Sequence, residues 1–188
     1  KKKLKEIKDL LEGLNLKILS LADFPGAPKI EEDGQTFAQN AIKKAATIAM
    51  YTKKLTLGED SGLEVKALKN RPGVYSSRFS GANATDKKNN LKLLKELRGI
   101  PLKKRIARYK CYIAIADKNR LITVVSGTCQ GLIGFRSKGK SGFGYDPLFI
   151  IPKYNKTFAQ LGLKIKHEMS HRAKAIKKAK KIMAGYLG

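Results

Sequence analysis

The chain has 188 residues, of which 40 are Lys or Arg and 15 are Asp or Glu, giving a formal net charge of +25. This length permits a sizeable core, so a single domain over residues 1–188 is expected, whether or not it divides into lobes. No apolar run approaches the roughly 20 residues of a membrane-spanning helix, and the basic N-terminus lacks the apolar stretch of a signal peptide. Composition therefore predicts a cytoplasmic protein with no membrane partner.

Hydrophobic spacing in the first half of the chain predicts helices and strands in turn. Gly13 ends the first helix, and Pro25, Gly26 and Pro28 place a loop before the second. A tight connection at residues 60–62 is expected between the last two strands of this half. In chain order the elements are helix 2–13, strand 16–21, helix 36–53, strand 55–59 and strand 63–68.

The second half continues with strands and two further helices. Thr85 or Asp86 can cap the start of a helix, and residues 117–119 are typical of a hairpin turn. In chain order the elements are helix 86–97, strands 106–116, 121–130, 132–135 and 148–151, and helix 170–186. This mixture of helices and strands predicts an α/β or α+β sheet protein.

The two cysteines, Cys111 and Cys129, lie in apolar, strand-like segments without the spacing of metal ligands. We expect two reduced core thiols, as in a cytosolic protein. With His167 and His171 as the only histidines, neither a histidine-based zinc site nor a Ser-His-Asp triad can be assembled. The sequence also lacks the phosphate-binding motif G-x-x-x-x-G-K-[ST].

Acidic residues are scarce, so the two close clusters Glu31–Asp33 and Glu59-Asp60 are informative. Mg²⁺ prefers carboxylate and phosphate oxygens, and a carboxylate at a strand end, as expected for Asp60, can hold such a cation or orient a water. The first cluster is equally well explained as a solvated loop before a helix. Lys44 could reach a phosphate at the same place, although its spacing alone favours an ordinary surface lysine.

Two segments of the second half show patterns typical of ligand sites. The glycines of Ser141–Pro147 allow a close approach of backbone to a ligand, and the rings of Phe143 and Tyr145 could stack on a base. A tight turn with buried rings is the alternative. Residues Ser170–Arg172 either cap the last helix or present donors to the carbonyl oxygens of a purine.

The positive charge would attract polyanions such as nucleotides or nucleic acid. The lysines are scattered along the chain, however, with no basic arm and no aromatic platform of the kind that grips single strands. Two explanations stay open. One is a solvated, lysine-rich surface that contacts nucleic acid only non-specifically, and the other is a basic nucleic-acid-binding protein without catalysis.

Taken in order, the segments of this chain resemble the inosine triphosphate pyrophosphatase family, which hydrolyses non-canonical purine nucleoside triphosphates. The resemblance covers essentially the whole chain, and its specificity lies in the ordered set rather than in any one motif. The matching segments are Lys3–Ile7, Glu32–Phe37, Asn40-Ala41, Lys44-Ala45, Glu59–Leu63, Pro72–Arg78, Ser80-Gly81, Ala84–Asp86, Gly142–Pro147, Lys156-Thr157 and Ser170–Arg172.

For the fold, the resemblance implies an α/β architecture with an elongated, twisted mixed sheet and flanking helices, in two lobes around a central substrate cleft. For the activity, it implies a Mg²⁺-dependent pyrophosphatase that converts ITP, dITP or XTP to the monophosphate and pyrophosphate, acting as a cytoplasmic homodimer. Such a reaction needs an in-line water, a metal ion and cations at the α-phosphorus, and no covalent nucleophile.

The resemblance also implies a role for each matching residue. Asp60 is the expected catalytic carboxylate, and Glu32 is expected to join it in binding Mg²⁺. The residues expected to bind substrate, from the phosphates to the base, are Lys3, Lys44, Ser61, Phe143, Gly144, Tyr145, Asp146, Lys166, His171 and Arg172. The last three are expected to read the 6-oxo group, which hypoxanthine and xanthine carry and adenine lacks. Buried donors left unpaired by adenine would disfavour it.

The chain departs from the family pattern in several places. Glu59 and Gln39 stand where many bacterial relatives have Asp and Glu, and the high charge is unusual. The family also opens with an apolar strand and a Thr-Gly-Asn type of turn directly before the segment that contains Lys3, whereas this sequence begins just after that turn. We therefore expect about ten further residues before Lys1 in the native gene, enough for a strand and a turn.

Overall fold

The structure, a computed structural model, describes residues 2–14 and 16–187 of the chain. The helices of this described part are α1 (Lys2–Leu11), α2 (Phe37–Thr52), α3 (Asp86–Glu96), α4 (Phe158–Met169) and α5 (His171–Leu187). The strands are β1 (Thr56–Val65), β2 (Ile106–Ala116), β3 (Leu121–Ile133), β4 (Phe149–Ile151) and β5 (Lys156–Thr157).

The strands form an open sheet in which neighbours in sequence are neighbours in space, in the order β1-β2-β3-β4-β5. β4 pairs antiparallel with β3, where Phe149 lies opposite Ile133, and also with β5, where Ile151 lies opposite Lys156. Helices flank this sheet, so the predicted α/β class is confirmed. Among the described residues, no helix combines the length and the apolar character needed to cross a membrane.

The chain forms two compact units, each assembled from separate segments. The first unit contains Lys1–Asp60, Cys111–Gly127 and Arg172–Gly188, and the second contains Ser61–Lys110 and Thr128–His171. Each unit has buried apolar clusters of its own. Residues of the expected site occur in both units.

The core of the first unit lies where helices pack on β2. Inward-facing residues recur along α5 at helical spacing and meet alternate residues of the strand. This cluster includes Cys111, Ile113 and Ile115 of β2 with Ala175, Ile176, Ala179 and Met183 of α5. A smaller cluster joins Ala41, Ala45 and Ala49 of α2 to Ala114 and Ala116 of β2.

Gly58 lets α2 lie directly against β1. A Cβ atom at this position would collide with the Ala41 carbonyl oxygen and the Ala45 amide nitrogen of the helix backbone. Any other residue would push the two elements apart, because backbone atoms of a helix cannot turn aside as a side chain can. Thr36 precedes the first residue of the helix and caps it through a capping box. Gly58 and Thr36 together fix the position of the helix that carries Lys44.

The second unit has a larger apolar cluster, built from its part of the sheet and from α3 and α4. Two of its rings, Phe149 and Phe158, stack with their centres 5.5 Å apart. Thr85 caps α3 by accepting the backbone amide of Lys88 at 3.2 Å, which confirms the predicted start of that helix. Further members of the cluster, all fully buried, are Leu63, Leu93, Leu97, Ile133 and Leu148.

The predicted strand at residues 16–21 is wrong. Residues 16–20 have no regular secondary structure, and Leu21 opens a short 3-10 turn. β1 is the end strand of the described sheet, and an apolar cavity of about 710 Å³ is lined by both this segment and the first residues of β1. In the part of the chain that the structure describes, no strand lies at hydrogen-bonding distance from Leu16–Leu21, so this apolar run forms no ladder.

The predicted turn at residues 60–62 is also wrong. β1 runs through Asp60, Ser61 and Gly62 without a break, as one strand of ten residues. These residue types are common in turns, but pairing with the neighbouring β2 overrides their local preference. Asp60 therefore stands on a continuous strand rather than at the tip of a hairpin.

Candidate active site

Asp60 lies in the first unit within a group of charged side chains. Its Oδ1 is 3.1 Å from Nζ of Lys44, and the same Nζ is 2.8 Å from Oε1 of Glu32. The side chain of Asp60 is 7% exposed, that of Lys44 18% and that of Glu32 36%. One ammonium group thus joins the two expected metal ligands, and Glu32 is the member of the group most open to solvent.

Asn40 connects the acidic loop to Asp60. Its Nδ2 donates to Oδ2 of Asp60 at 3.1 Å, and its Oδ1 accepts the backbone amide of Gly34 at 2.8 Å. The residue is 1% exposed, so both ends of its side-chain amide are used in the interior. Sequence reasoning gave Asn40 no role. Its position could have identified it, because Asn40 lies one helical turn before Lys44 on the same face of α2.

Burial and pairing set the charges of Asp60 and Lys44. Burial raises the pKa of Asp60, and the Lys44 ammonium and the Asn40 hydrogen bond offset only part of that rise. For Lys44, burial alone would lower the pKa, but the Glu32 hydrogen bond and the Asp60 charge outweigh it, so the pKa is raised. Lys44 therefore stays cationic, while Asp60 is a stronger base than an exposed aspartate.

The carboxylates of Glu32 and Asp60 fit a magnesium ion that also binds a substrate. Mg²⁺ is usually held by one or two carboxylates, with water and substrate phosphate oxygens completing its coordination. In the described part of the chain, no cluster of three or more His, Cys, Asp or Glu side chains could hold a metal ion. This donor set suits a cation that arrives with a phosphate better than a permanently bound structural metal.

Glu59, next to Asp60, is the centre of a second charged group in the same unit. Its Oε2 lies 2.5 Å from Nζ of Lys3, and its Oε1 lies 3.2 Å from Nη2 of Arg172. Nη1 of Arg172 lies 2.5 Å from Oε2 of Glu6. Lys3 is thereby anchored to the strand that carries Asp60. Arg172 is 2% exposed and bound by two carboxylates, and its expected role in reading the base stays a prediction.

Both cysteines are free and buried, as expected of core thiols. Sγ of Cys111 donates to Oε1 of Glu59 at 3.4 Å. Burial, followed by the charge of Glu59, raises the pKa of Cys111 well above its ordinary value of 9.0. This thiol therefore stays protonated and cannot act as a nucleophile at neutral pH.

In the second unit, the Asp146 carboxylate is buried at the centre of the glycine-rich loop. Its Oδ2 lies 2.6 Å from Nζ of Lys166 and accepts the backbone amide of Phe143 at 2.9 Å. Its Oδ1 accepts from the hydroxyl of Tyr109 at a longer 3.4 Å. Gly142 has a φ of 81°, and a Cβ there would collide with this carboxylate. Glycine is therefore required for the loop to close on Asp146.

The two aromatic residues of the loop have different surroundings. Tyr145 is 4% exposed, and its hydroxyl donates to the carbonyl oxygen of Ser76 at 2.8 Å. Burial, together with the charge of Asp86, raises the pKa of Tyr145, so this hydroxyl stays protonated. Phe143 is half-buried, and Nζ of Lys166 lies 4.3 Å from its ring centre. Phe143 is thus partly open to solvent, whereas Tyr145 belongs to the core, and the contact of either ring with a base stays a prediction.

His171, at the start of α5, is stacked on Tyr109. The ring centres are 4.6 Å apart and the planes differ by 10°, while His171 is only 4% exposed. Tyr109 also packs against Phe149, with ring centres 4.5 Å apart. Sequence reasoning placed Tyr109 in a strand and gave it no role. Its ring fixes the plane of the imidazole that is expected to face a base.

The expected site residues thus fall into one group in each unit. Ser61 follows Asp60 in β1 and is half-buried. The first unit contains Lys3, Glu32, Lys44, Asp60 and Arg172, and the second contains Ser61, Phe143, Gly144, Tyr145, Asp146, Lys166 and His171.

Comparison with known proteins identifies the family. The model of the Ham1 family matches residues 1–182 of the chain. The chain belongs to this family. Among curated relatives, a dITP/XTP pyrophosphatase of Desulforamulus reducens is 51% identical over 183 residues, which are 97% of this chain and 91% of the relative. A dITP/XTP pyrophosphatase of Geobacter sulfurreducens is 47% identical over 176 residues, or 94% of this chain and 88% of the relative.

Solved structures of Ham1 proteins share the fold. A HAM1 protein from Coxiella burnetii matches with a TM-score of 0.88 at 37% identity, covering 97% of this chain and 93% of that one. The Ham1 protein of Staphylococcus aureus matches with a TM-score of 0.87 at 35% identity, covering 98% of this chain and 94% of that one. The predicted resemblance to the pyrophosphatase family is therefore confirmed.

Proposed function

We propose that this Ham1 protein hydrolyses non-canonical purine nucleoside triphosphates, namely dITP, XTP and ITP, to the monophosphate and pyrophosphate. Relatives named as dITP/XTP pyrophosphatases support the substrate class. The observation that carries the proposal is the Lys44 ammonium, 3.1 Å from Asp60 and 2.8 Å from Glu32. Attack of water on a phosphorus atom needs charge neutralisation, a base and metal ligands. The ammonium can supply the first of these, and the two carboxylates can supply the others.

At the phosphates, Lys44 and Lys3 bind oxygen atoms and neutralise the charge that develops as the bond between the α- and β-phosphates breaks. Asp60 accepts a proton from the water that attacks the α-phosphorus, and Ser61 binds beside it. Glu32 and Asp60 would hold Mg²⁺, which would polarise the phosphoryl oxygens and help to orient the triphosphate. The products are the monophosphate and pyrophosphate, with no covalent enzyme intermediate.

At the base, Lys166 and His171 donate toward the 6-oxo side of the purine, and Phe143 packs against its plane. Lys166 has three ammonium hydrogens, so it can keep its bond to Asp146 and still donate to a ligand. Arg172 follows His171 and adds a further donor in the expected scheme. Adenine carries an amino group in place of the oxygen, so it would leave these donors unpaired, which is costly in a buried site.

The proposal is tested by incubating the purified protein with dITP, XTP, ITP or ATP in the presence of Mg²⁺ and separating the products by anion-exchange chromatography. We expect equal amounts of monophosphate and pyrophosphate from the first three, little turnover of ATP, and loss of activity when EDTA replaces Mg²⁺. Release of diphosphate and orthophosphate would contradict the assigned bond. Absence of hydrolysis of all three would overturn the proposed function.

We further propose that the enzyme is a homodimer in the cytoplasm, on the strength of the family resemblance. Multi-angle light scattering should give the mass of two chains at micromolar concentration. The mass of one chain under those conditions would contradict this assembly.

A further inference from the structure

Helix α3 holds both hydrogen-bonding backbone atoms of Gly144. The N–H of Gly144 donates to Oδ2 of Asp86 at 2.7 Å, and its carbonyl oxygen accepts from Nδ2 of Asn90 at 2.9 Å. Asp86 and Asn90 are four residues apart on α3, so both side chains leave the same face of the helix. Asp86 is exposed, whereas Asn90 is 7% exposed. A two-point attachment of this kind fixes a peptide in both position and orientation.

The same end of α3 also holds the segment that supports Tyr145. Asn89 is 3% exposed, and its side chain accepts the backbone amide of Ser80 at 2.8 Å and donates to the Ser76 carbonyl oxygen at 3.3 Å. That carbonyl oxygen is the acceptor of the Tyr145 hydroxyl. Gly144 is therefore held directly by α3, and its neighbour in the loop is held through residues 76–80.

Gly144 presents an open side to its surroundings. Its φ is 62°, a left-handed conformation that glycine adopts without strain, and a Cβ at this position would meet no atom within 4 Å. The N–H and the carbonyl oxygen are directed at α3, so they do not define the open side. The open side is the one that the Cα of Gly144 faces, where a flat ligand has room to approach the backbone.

We infer that Asp86 and Asn90 are positioning residues for nucleoside recognition, which act by fixing the Gly144 backbone between Phe143 and Asp146. This inference rests on the proposed function and deepens it. It gives a role to the Ala84–Asp86 motif, which the phosphate chemistry does not use. It also assigns Gly144 a contribution through shape rather than through its own hydrogen bonds.

The experiment compares Asp86→Ala, Asp86→Asn and Asn90→Ala with the wild type in steady-state hydrolysis of dITP. Asp86→Ala and Asn90→Ala should each raise KM by roughly 5–10-fold, the effect of one lost hydrogen bond, and should change kcat by less than about twofold. Asp86→Asn keeps an acceptor for the Gly144 amide and should restore a KM close to that of the wild type. Lys87→Ala, an exposed change on the same turn of α3, is the matched control and should leave both constants unchanged.

A purely structural role would lower the melting temperature and kcat of the alanine variants while leaving KM unchanged, and that result would overturn the inference. Equal KM values for Asp86→Asn and Asp86→Ala would overturn it as well, because the hydrogen bond would then not be the cause. If the wild type itself releases no pyrophosphate from dITP, the proposed function fails and this inference fails with it. An active wild type with unchanged KM in both alanine variants refutes the inference alone.

Discussion

Oδ1 of Asp60 lies 3.1 Å from Nζ of Lys44, and the two residues belong to β1 and α2, elements in direct backbone contact at Gly58. The contact between the two backbones therefore fixes the carboxylate and the ammonium side by side. Groups that need not reorganise during the reaction stabilise a transition state more effectively than mobile ones.

Replacing Asp60 by Asn should lower kcat for dITP by at least ~10²-fold, since the change removes a base and a metal ligand with little change of volume. Release of pyrophosphate under saturating dITP and Mg²⁺ is the measurement. Asp33→Asn is a suitable control, because Asp33 is exposed and pairs with Lys43 at 2.7 Å. Near-wild-type turnover of Asp60→Asn would rule out the role assigned to Asp60.

Two adjacent lysines of α2 make a matched pair. Lys44→Met removes a cation bound to Glu32 and Asp60, whereas Lys43→Met removes one bound only to the exposed Asp33. Lys44→Met should reduce kcat/KM by about 10–100-fold, the effect of losing a charged hydrogen bond to substrate, and Lys43→Met should change it less than about twofold. Similar losses in the two variants would mean that total charge, rather than the position of Lys44, determines activity.

Lys166→Met should destabilise the fold, because it leaves the buried carboxylate of Asp146 without its ammonium partner 2.6 Å away. Breaking a buried pair from one side typically costs about 3–5 kcal/mol. Urea denaturation gives the free energy of unfolding, and Lys164→Met, on the exposed face of α4, is the control. A loss below about 1 kcal/mol would show that Asp146 finds another partner or becomes protonated at little cost.

Arg172→Ala distinguishes two roles of this residue, namely ion pairing with buried carboxylates and selection of the base. The change leaves Glu6 and Glu59 without the guanidinium that binds both, so the free energy of unfolding should fall by about 3–5 kcal/mol. If Arg172 also reads the base, the ratio of kcat/KM for dITP to that for ATP should fall, and we expect this narrowing. Lys177→Ala, an exposed change on the same helix, should alter neither quantity. Equal losses of kcat/KM for dITP and ATP would mean that Arg172 acts only through its ion pairs with Glu6 and Glu59.

Cys111 should make the fold sensitive to alkaline pH. Its pKa in the folded protein is raised well above 9.0, its ordinary value, so its contribution to stability is complete below that value. As the pH rises above 9, the unfolded chain loses the thiol proton and the folded chain keeps it, so the free energy of unfolding falls by up to ~1.4 kcal/mol per pH unit. Urea titrations of the wild type and of Cys111→Ala between pH 8 and pH 10 should show the steeper fall in the wild type. Parallel curves would contradict this assignment.

Helix starts were predictable because their chemistry is local. Thr36 and Thr85 cap α2 and α3 where the sequence places them. α4 received no prediction, although Thr157 and Gln160 form the same capping box that marks α2. Gly162, with a φ of 78°, interrupts the regular helix and with it the apolar spacing on which the prediction relies.

Elements and contacts that depend on distant partners were not predictable in the same way. Leu16–Leu21 has the apolar pattern of a strand, but no strand among the described residues pairs with it. Residues 60–62 have turn propensity but are held straight in β1. In sequence, Asn40 and Asn90 resemble the exposed polar positions of a helix. Both are buried, however, and both donate hydrogen bonds to groups that are distant in the sequence. The residues expected to bind substrate were identified by resemblance, because no local rule connects Lys44 with Asp60.

The distance between the Asp60 carboxylate and the Lys44 ammonium depends on the absence of a side chain at Gly58. Gly58 contacts no ligand in the proposed mechanism and has no reactive side chain. A single methyl group at this position would nevertheless collide with backbone atoms of α2 and push the helix away from β1. Such a change would shift Lys44 away from Asp60 while every functional group remained in the chain. Adding one methyl group at a residue without a functional side chain should therefore be enough to abolish activity in this fold.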